Sequence, residues 1–134
     1  MMLSPVELQH ASRLVNHGPT VLIATEHQGR RNLMATAWSM PVEFTPPRIA
    51  VVVDKNTWTR ELLQASGRFA IGLPGAALAD LTFAVGNESG REVDKFARHG
   101  LHSVPGPVLG LPLVAGCVAW LELRHIPEPH AEQA

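Results

Sequence analysis

The 134-residue sequence contains one cysteine, Cys117, so no disulfide can form within the chain. It also lacks an excess of either charge: 11 basic residues stand against 12 acidic ones, with no cluster of lysine or arginine. That balance carries no electrostatic footprint for nucleic acid or an anionic membrane, and neither is expected as a partner. Long apolar runs are missing too. Glycine or proline interrupts every apolar stretch before the ~20 residues that a bilayer-spanning helix needs. The opening MMLSPVELQH lacks the charged-then-apolar layout of a signal peptide. Together these absences point to a reducing, cytoplasmic setting, and the length suits one domain over residues 1–134 that folds without covalent staples.

Familiar catalytic motifs are absent as well. There is no GxSxG elbow, Walker A loop, HExxH or Rossmann GxGxxG. His99 and His102 straddle Gly100 at an expected helix end, which favours solvated histidines over a metal site. Cys117 falls in an apolar strand pattern and reads as a small buried residue. No pair of carboxylates stands out. Chemistry, if there is any, belongs to something bound.

What is present is a succession of short strand patterns with small helices between them. Ser4, Pro5 and Glu7 form a capping box ahead of Leu8, Ala11, Leu14 and Val15 at helical spacing, and Gly18-Pro19 stops that helix. Thr20–Thr25 and Asn32–Trp38 flank the turn sequence EHQGRR and predict a hairpin. Pro41 and the Pro46-Pro47 pair bracket an irregular or edge segment, and Ile49–Val53 reads as a buried strand. Asn56 or Thr57 caps a helix that runs to about Ala65 and leaves through Gly67. Arg68–Leu73 is a fourth strand. Helices are expected over about Ala76–Val85 and Arg91–His99, burying Val85, Val93 and Phe96, whereas Ser103–Pro112 is too rich in proline and glycine for anything but a loop. Gly116–Ile126 alternates as a long strand. Antiparallel strands with so few helical crossovers exclude a doubly wound sheet and favour a mainly β fold, a small barrel with short helices.

The best local site is Asp54-Lys55-Asn56-Thr57-Trp58-Thr59, between a strand and a helix start. Free backbone N–H groups there, together with a lysine and hydroxyls, suit an anion such as phosphate.

The segment NLMATAWSMPVEFTPPRIAVVVDKNTWTRELLQASGRFAIGLP resembles the signature region of the flavin reductase-like family of FMN-binding split barrels, the flavoredoxin-like proteins. That family pattern has Asn-x-Met followed by small and hydroxyl residues, a Pro-Pro pair before an apolar strand, a Thr-rich helix start and a Ser-Gly-x-Phe strand entry. A second block, Ser89-Gly90-Arg91-Glu92-Val93-Asp94-Lys95-Phe96, is similar to the family's Ser-Gly-Arg-x-x-Asp-Lys-Phe stretch. The resemblance implies an antiparallel Greek-key split barrel, a homodimer with FMN near the subunit interface, and electrons arriving from NADH or NADPH for a small-molecule acceptor. It implies that Met34, Ala35, Thr36, Ala37 and Trp38 line the isoalloxazine ring and that Lys55, Thr57 and Thr59 hold the phosphate. Ser89, Gly90 and Lys95 would then close over the site, with no catalytic side chain, the chemistry resting on the flavin. Family members continue past the position of Ile126 into at least one more strand, so the last strand of the barrel is expected to be lacking here.

Overall fold

The computed structural model describes residues 4–14 and 18–132. Its centre is a four-stranded antiparallel sheet that starts from one hairpin, β1 (Val21–His27) and β2 (Arg30–Thr36). The two residues that join them, Gln28 and Gly29, have φ of 50° and 77°. Positive φ at both positions matches the right-handed twist of the strands, and glycine adopts it at little cost. Next come β3 (Ser39–Phe44) and β4 (Pro47–Val51), a hairpin of its own. After α1 (Trp58–Ser66), β5 (Arg68–Pro74) pairs with β1. A 3-10 turn at Ala76–Leu78 leads into α2 (Ala79–Gly86), and α3 (Lys95–Arg98) follows. Then β6 (Ser103–Pro105) and β7 (Pro112–Val114) pair with each other, β8 (Cys117–Arg124) pairs with β5, and α4 (Pro129–Glu132) ends the described chain. The main sheet runs β2-β1-β5-β8, which leaves β2 and β8 at its edges.

Strand alternation divides the core in two. Leu22, Ala24, Leu33 and Ala70 point to one face, where Val85 of α2, Phe96 of α3 and Leu111, Leu113 and Val114 cover them. Val21, Ile23, Phe69 and Ile71 point to the other face, against Leu63 of α1 and the half-buried Ile49 and Val51 of β4. Each fully buried Leu, Ile or Phe contributes about 1.5–3 kcal/mol, so two such clusters supply the driving force for a sheet covered on both sides.

Several expectations need correction. The segment before Gly18 is a 3-10 helix over Leu8–Leu14 with Leu8 and Leu14 exposed, and Val15 lies outside the described residues. Pro41 stands inside β3, where the register shifts between Pro41 and Glu43; a bulge in an isolated hairpin tolerates the missing N–H. Val52, expected to be buried, is 56% exposed, because it lies just past the end of β4, whose Ile49 and Val51 are the residues that pack on the main sheet. The helix expected from Arg91 begins at Lys95 instead, capped by Asp94, whose Oδ1 accepts from Ala97 N at 3.2 Å.

The loop expected over Ser103–Pro112 holds two short strands joined by a turn with Gly110 at φ 72°. A distant carboxylate organises that turn. Glu122 of β8 accepts from Val108 N at 2.9 Å and Leu109 N at 2.8 Å, and Gly106 lies so close that a Cβ there would overlap the carboxylate. Desolvation pushes the Glu122 pKa up, but the N–H groups of Val108, Leu109, Leu111 and Gly110 outweigh it and hold the carboxyl below its ordinary value.

Candidate functional site

The helix start expected to hold an anion forms as its sequence dictates. Thr57 takes extended backbone angles, and its Oγ1 accepts from Arg60 N at 3.2 Å while donating to Asp54 O at 2.8 Å. Asp54 Oδ1 accepts from Asn56 N at 2.7 Å, tightening the turn before the helix. Lys55 is exposed beside it. Thr59, two residues further in, is buried, and its Oγ1 accepts from Asn32 Nδ2 of β2 at 2.8 Å.

Asn32 is the residue that sequence reasoning left off the site. It is 2% exposed, its Nδ2 is committed to Thr59, and its buried Oδ1 has no hydrogen-bond partner. A buried amide oxygen left unpaired costs about 1–3 kcal/mol, and native folds rarely tolerate one without a reason. The signal was present in Asn-x-Met, but the partner lies 27 residues away.

Over this oxygen runs the connection between α2 and α3. Gly90 sits so near that a Cβ would overlap Asn32 Oδ1 and come within 2.7 Å of Trp58 Cδ1, which explains glycine at that position. Exposed Ser89 turns the strap, accepting from Glu92 N and Val93 N at 3.1 Å each. Arg91 then lies across the first turn of α1, donating to Asn56 O at 2.9 Å and pairing with Glu61. Its guanidinium is 5.9 Å from the Trp58 ring centroid, and that of Arg30 is 5.6 Å away. At its start the strap is held by Glu88, whose Oε1 lies 3.0 Å from His99 Nε2.

Lys95 points inward from the end of the strap. It is buried, and Nζ donates to Leu33 O at 2.6 Å and Val85 O at 2.9 Å, tying β2 to the end of α2. Burial pushes its pKa below the ordinary 10.5, with Glu88 drawing it part of the way back.

That bond also fixes which way the edge strand presents its backbone. In an antiparallel strand the N–H and C=O of one residue point the same way, and successive residues alternate. Leu33 O faces outward to Lys95, so Ala35, two residues on in unbroken register, turns its N–H and C=O outward as well. Beside Ala35 lies a groove of about 540 Å³ lined by Thr20, Gly75, Ala79, Thr82, Phe83 and Asn87 among others. Small residues leave its walls open to a flat ring, and the buried Thr82 Oγ1 has no partner. None of the lining side chains is ionisable.

The expected residues therefore fall into linked groups. Ala35 lines the groove; Met34 packs in the opposite core with Ile23; Thr36 Oγ1 accepts from Trp38 N at 3.2 Å; Ala37 and the 48% exposed Trp38 lead out of β2. Trp38 O accepts from Val52 N at 3.0 Å, which carries the chain toward Lys55 and Thr57. Asn87 in the groove and Gly90 over Asn32 are three residues apart, at most roughly 10 Å along the chain. The strap thus crosses the open edge of β2 from the groove to the start of α1. A planar group in the groove with a phosphate-bearing tail at α1 would meet an outward amide pair, an orphaned hydroxyl and a helix N-terminus. FMN has those parts, and these residues fit it.

This antiparallel, mainly β architecture with short helices is that of the FMN-binding split barrels. The family described as flavin reductase like domain matches residues 13–132, and the chain belongs to that family. Uncharacterized protein YddH of Escherichia coli strain K12 is 58% identical over 132 residues, covering 96% of this chain and 70% of that protein. Among solved structures, the FMN-binding domain of a flavin reductases-like enzyme from Shewanella baltica OS155 is 44% identical with a TM-score of 0.82, over 96% of this chain and 68% of that one. Flavoredoxin of Desulfovibrio vulgaris (Miyazaki F) is 35% identical with a TM-score of 0.78, over 83% and 61%.

Proposed function

We propose that the chain binds FMN along the edge of β2 and serves as an NAD(P)H-dependent flavin oxidoreductase. The observation that carries this reading is the outward N–H and C=O of Ala35 at the mouth of a groove walled by small residues. Bound FMN would supply hydride acceptance from NADH or NADPH and electron delivery to a small-molecule acceptor. The chain's own residues bind and orient. The Ala35 amide pair and the Thr82 hydroxyl meet the polar rim of a flat ring, and Trp38 flanks it. Lys55 and Thr57 at the helix start and Ser89 on the strap surround the phosphate-bearing tail, while the buried Thr59, held by Asn32, braces the helix start from beneath and does not reach the ligand. Lys95 works from behind, fixing the β2 edge through the Leu33 carbonyl.

A homodimer belongs to the same proposal. Trp38, just before β3, and Met40, Val42 and Phe44 within it are 48, 60, 60 and 92% exposed, an apolar segment that follows directly on the flavin-lining residues. Such a segment favours burial against a second copy. A cytoplasmic location fits the single cysteine, and no helix among the described residues is long and apolar enough to cross a membrane.

A groove without ionisable groups suits an electron carrier as well as a reductase. Purified protein titrated with FMN and then assayed with NADH and NADPH separates the two readings. Flavin binding with nucleotide oxidation supports the reductase, and binding without it supports the carrier. Absence of flavin binding refutes both.

A further inference from the structure

We propose that Arg91 is an exchangeable latch on the flavin phosphate, with Glu61 occupying its guanidinium until the phosphate arrives; this rests on the FMN reading above. Arg91 reaches from the strap across the first turn of the nine-residue helix α1, where it donates to Asn56 O at 2.9 Å and pairs with Glu61. The pair is solvated, its side chains 43% and 51% exposed, so its hold is weak and open to competition. Directly behind it, the adjacent Gly90 presses on the buried, unpartnered Oδ1 of Asn32. The strap therefore seals a polar atom that lacks a partner while its arginine rests on a carboxylate at a helix N-terminus. A carboxylate and a phosphate offer a guanidinium the same kind of paired acceptor oxygens, and the phosphate carries more charge. The positive end of α1 also favours an added anion there. Glu61 sits in the first helical turn, near enough to take the guanidinium while the phosphate position is empty.

The other charges facing the site fit this exchange. Arg30 lies on the Trp58 ring near Arg91 and adds positive potential, as does exposed Lys55. The Asp54 carboxylate is engaged by Asn56 N and does not compete for the guanidinium. When a phosphate takes Arg91, the Asn56 carbonyl can keep one guanidinium N–H, so the strap stays docked while its ionic partner changes.

The test compares FMN with riboflavin, which has the same ring and ribityl chain but no phosphate, by fluorescence titration of the full chain. Glu61→Gln removes the competitor and is expected to tighten FMN about twofold to fivefold, the strength of an exposed ion pair, while leaving riboflavin unchanged. Arg91→Ala is expected to weaken FMN about tenfold and riboflavin little. The Glu61→Gln/Arg91→Ala double variant should match Arg91→Ala alone. Riboflavin affinity doubles as the check that each variant still folds its ring site. Equal effects on both flavins, or a Glu61→Gln variant indistinguishable from wild type, would overturn the latch while leaving FMN binding intact. Failure of the wild-type chain to bind either flavin would overturn the latch and the FMN reading together.

Discussion

Replacing Lys95 by methionine separates a lysine that builds the site from one that touches the ligand. Methionine keeps most of the volume and removes the ammonium, leaving Leu33 O and Val85 O without the donor they share. Each orphaned carbonyl costs about 1–3 kcal/mol, and charge-assisted bonds lie toward the upper end. Against this stands relief from desolvating the ammonium, the burial that pushes its pKa below 10.5. The loss should win, because both acceptors stay buried while the charge was already satisfied. We expect a net destabilisation of about 2–4 kcal/mol. In a domain of this size that lowers Tm by roughly 10 °C. Urea denaturation without flavin measures it, free of any ligand contribution. The sign with pH also follows. The folded state holds the Lys95 proton less tightly than the unfolded chain, so wild-type stability relative to the variant should increase as pH rises from the lowered value toward 10.5. A Lys95→Met protein as stable as wild type that has nevertheless lost FMN affinity would refute the reasoning, because the amine would then serve the ligand and not the β2 edge.

Ala35→Leu fills the mouth of the groove without touching the phosphate corner. FMN and riboflavin should both weaken by about tenfold or more, read by fluorescence titration, with far-UV dichroism unchanged. Asn32→Ala removes the donor to Thr59 and should destabilise by about 1–3 kcal/mol in urea, with weaker FMN binding. Glu122→Gln replaces a charged acceptor that holds the 106–111 turn. Because the folded Glu122 pKa is depressed, its contribution is fully present above the ordinary carboxylate value of 4.5 and is lost as pH falls through the folded value. Wild type should accordingly exceed the Gln variant in stability at neutral pH, and the gap should close in acid.

Local chemistry was legible in the sequence wherever a few neighbouring residues decide the outcome. Gln28-Gly29 turns the first hairpin, Thr57 caps α1, and Gly67, with φ of 69°, ends it. The misses came where a distant partner decides. The proline-rich 103–112 segment became strands because Glu122 gathers the turn between them. Helix α3 starts at Lys95 because Asp94 caps there and Arg91 is drawn off to α1. At the site, Thr57 and Lys55 could be read from the helix start, but Asn32 required its contact with Thr59. The family resemblance implies that Lys95 closes over the ligand, whereas its Nζ is committed to two backbone carbonyls. The groove beside Ala35 depends on which way an edge strand turns its amides, a property of pairing register that local composition does not encode.

The account stands most directly on one equilibrium titration of the wild-type chain with FMN. Saturable binding of one FMN per chain, with a shifted flavin absorbance and quenched fluorescence, weakened about tenfold or more by Ala35→Leu, is the predicted result. A folded protein that leaves FMN spectra unchanged, or that binds FMN equally well with the groove filled, would contradict it.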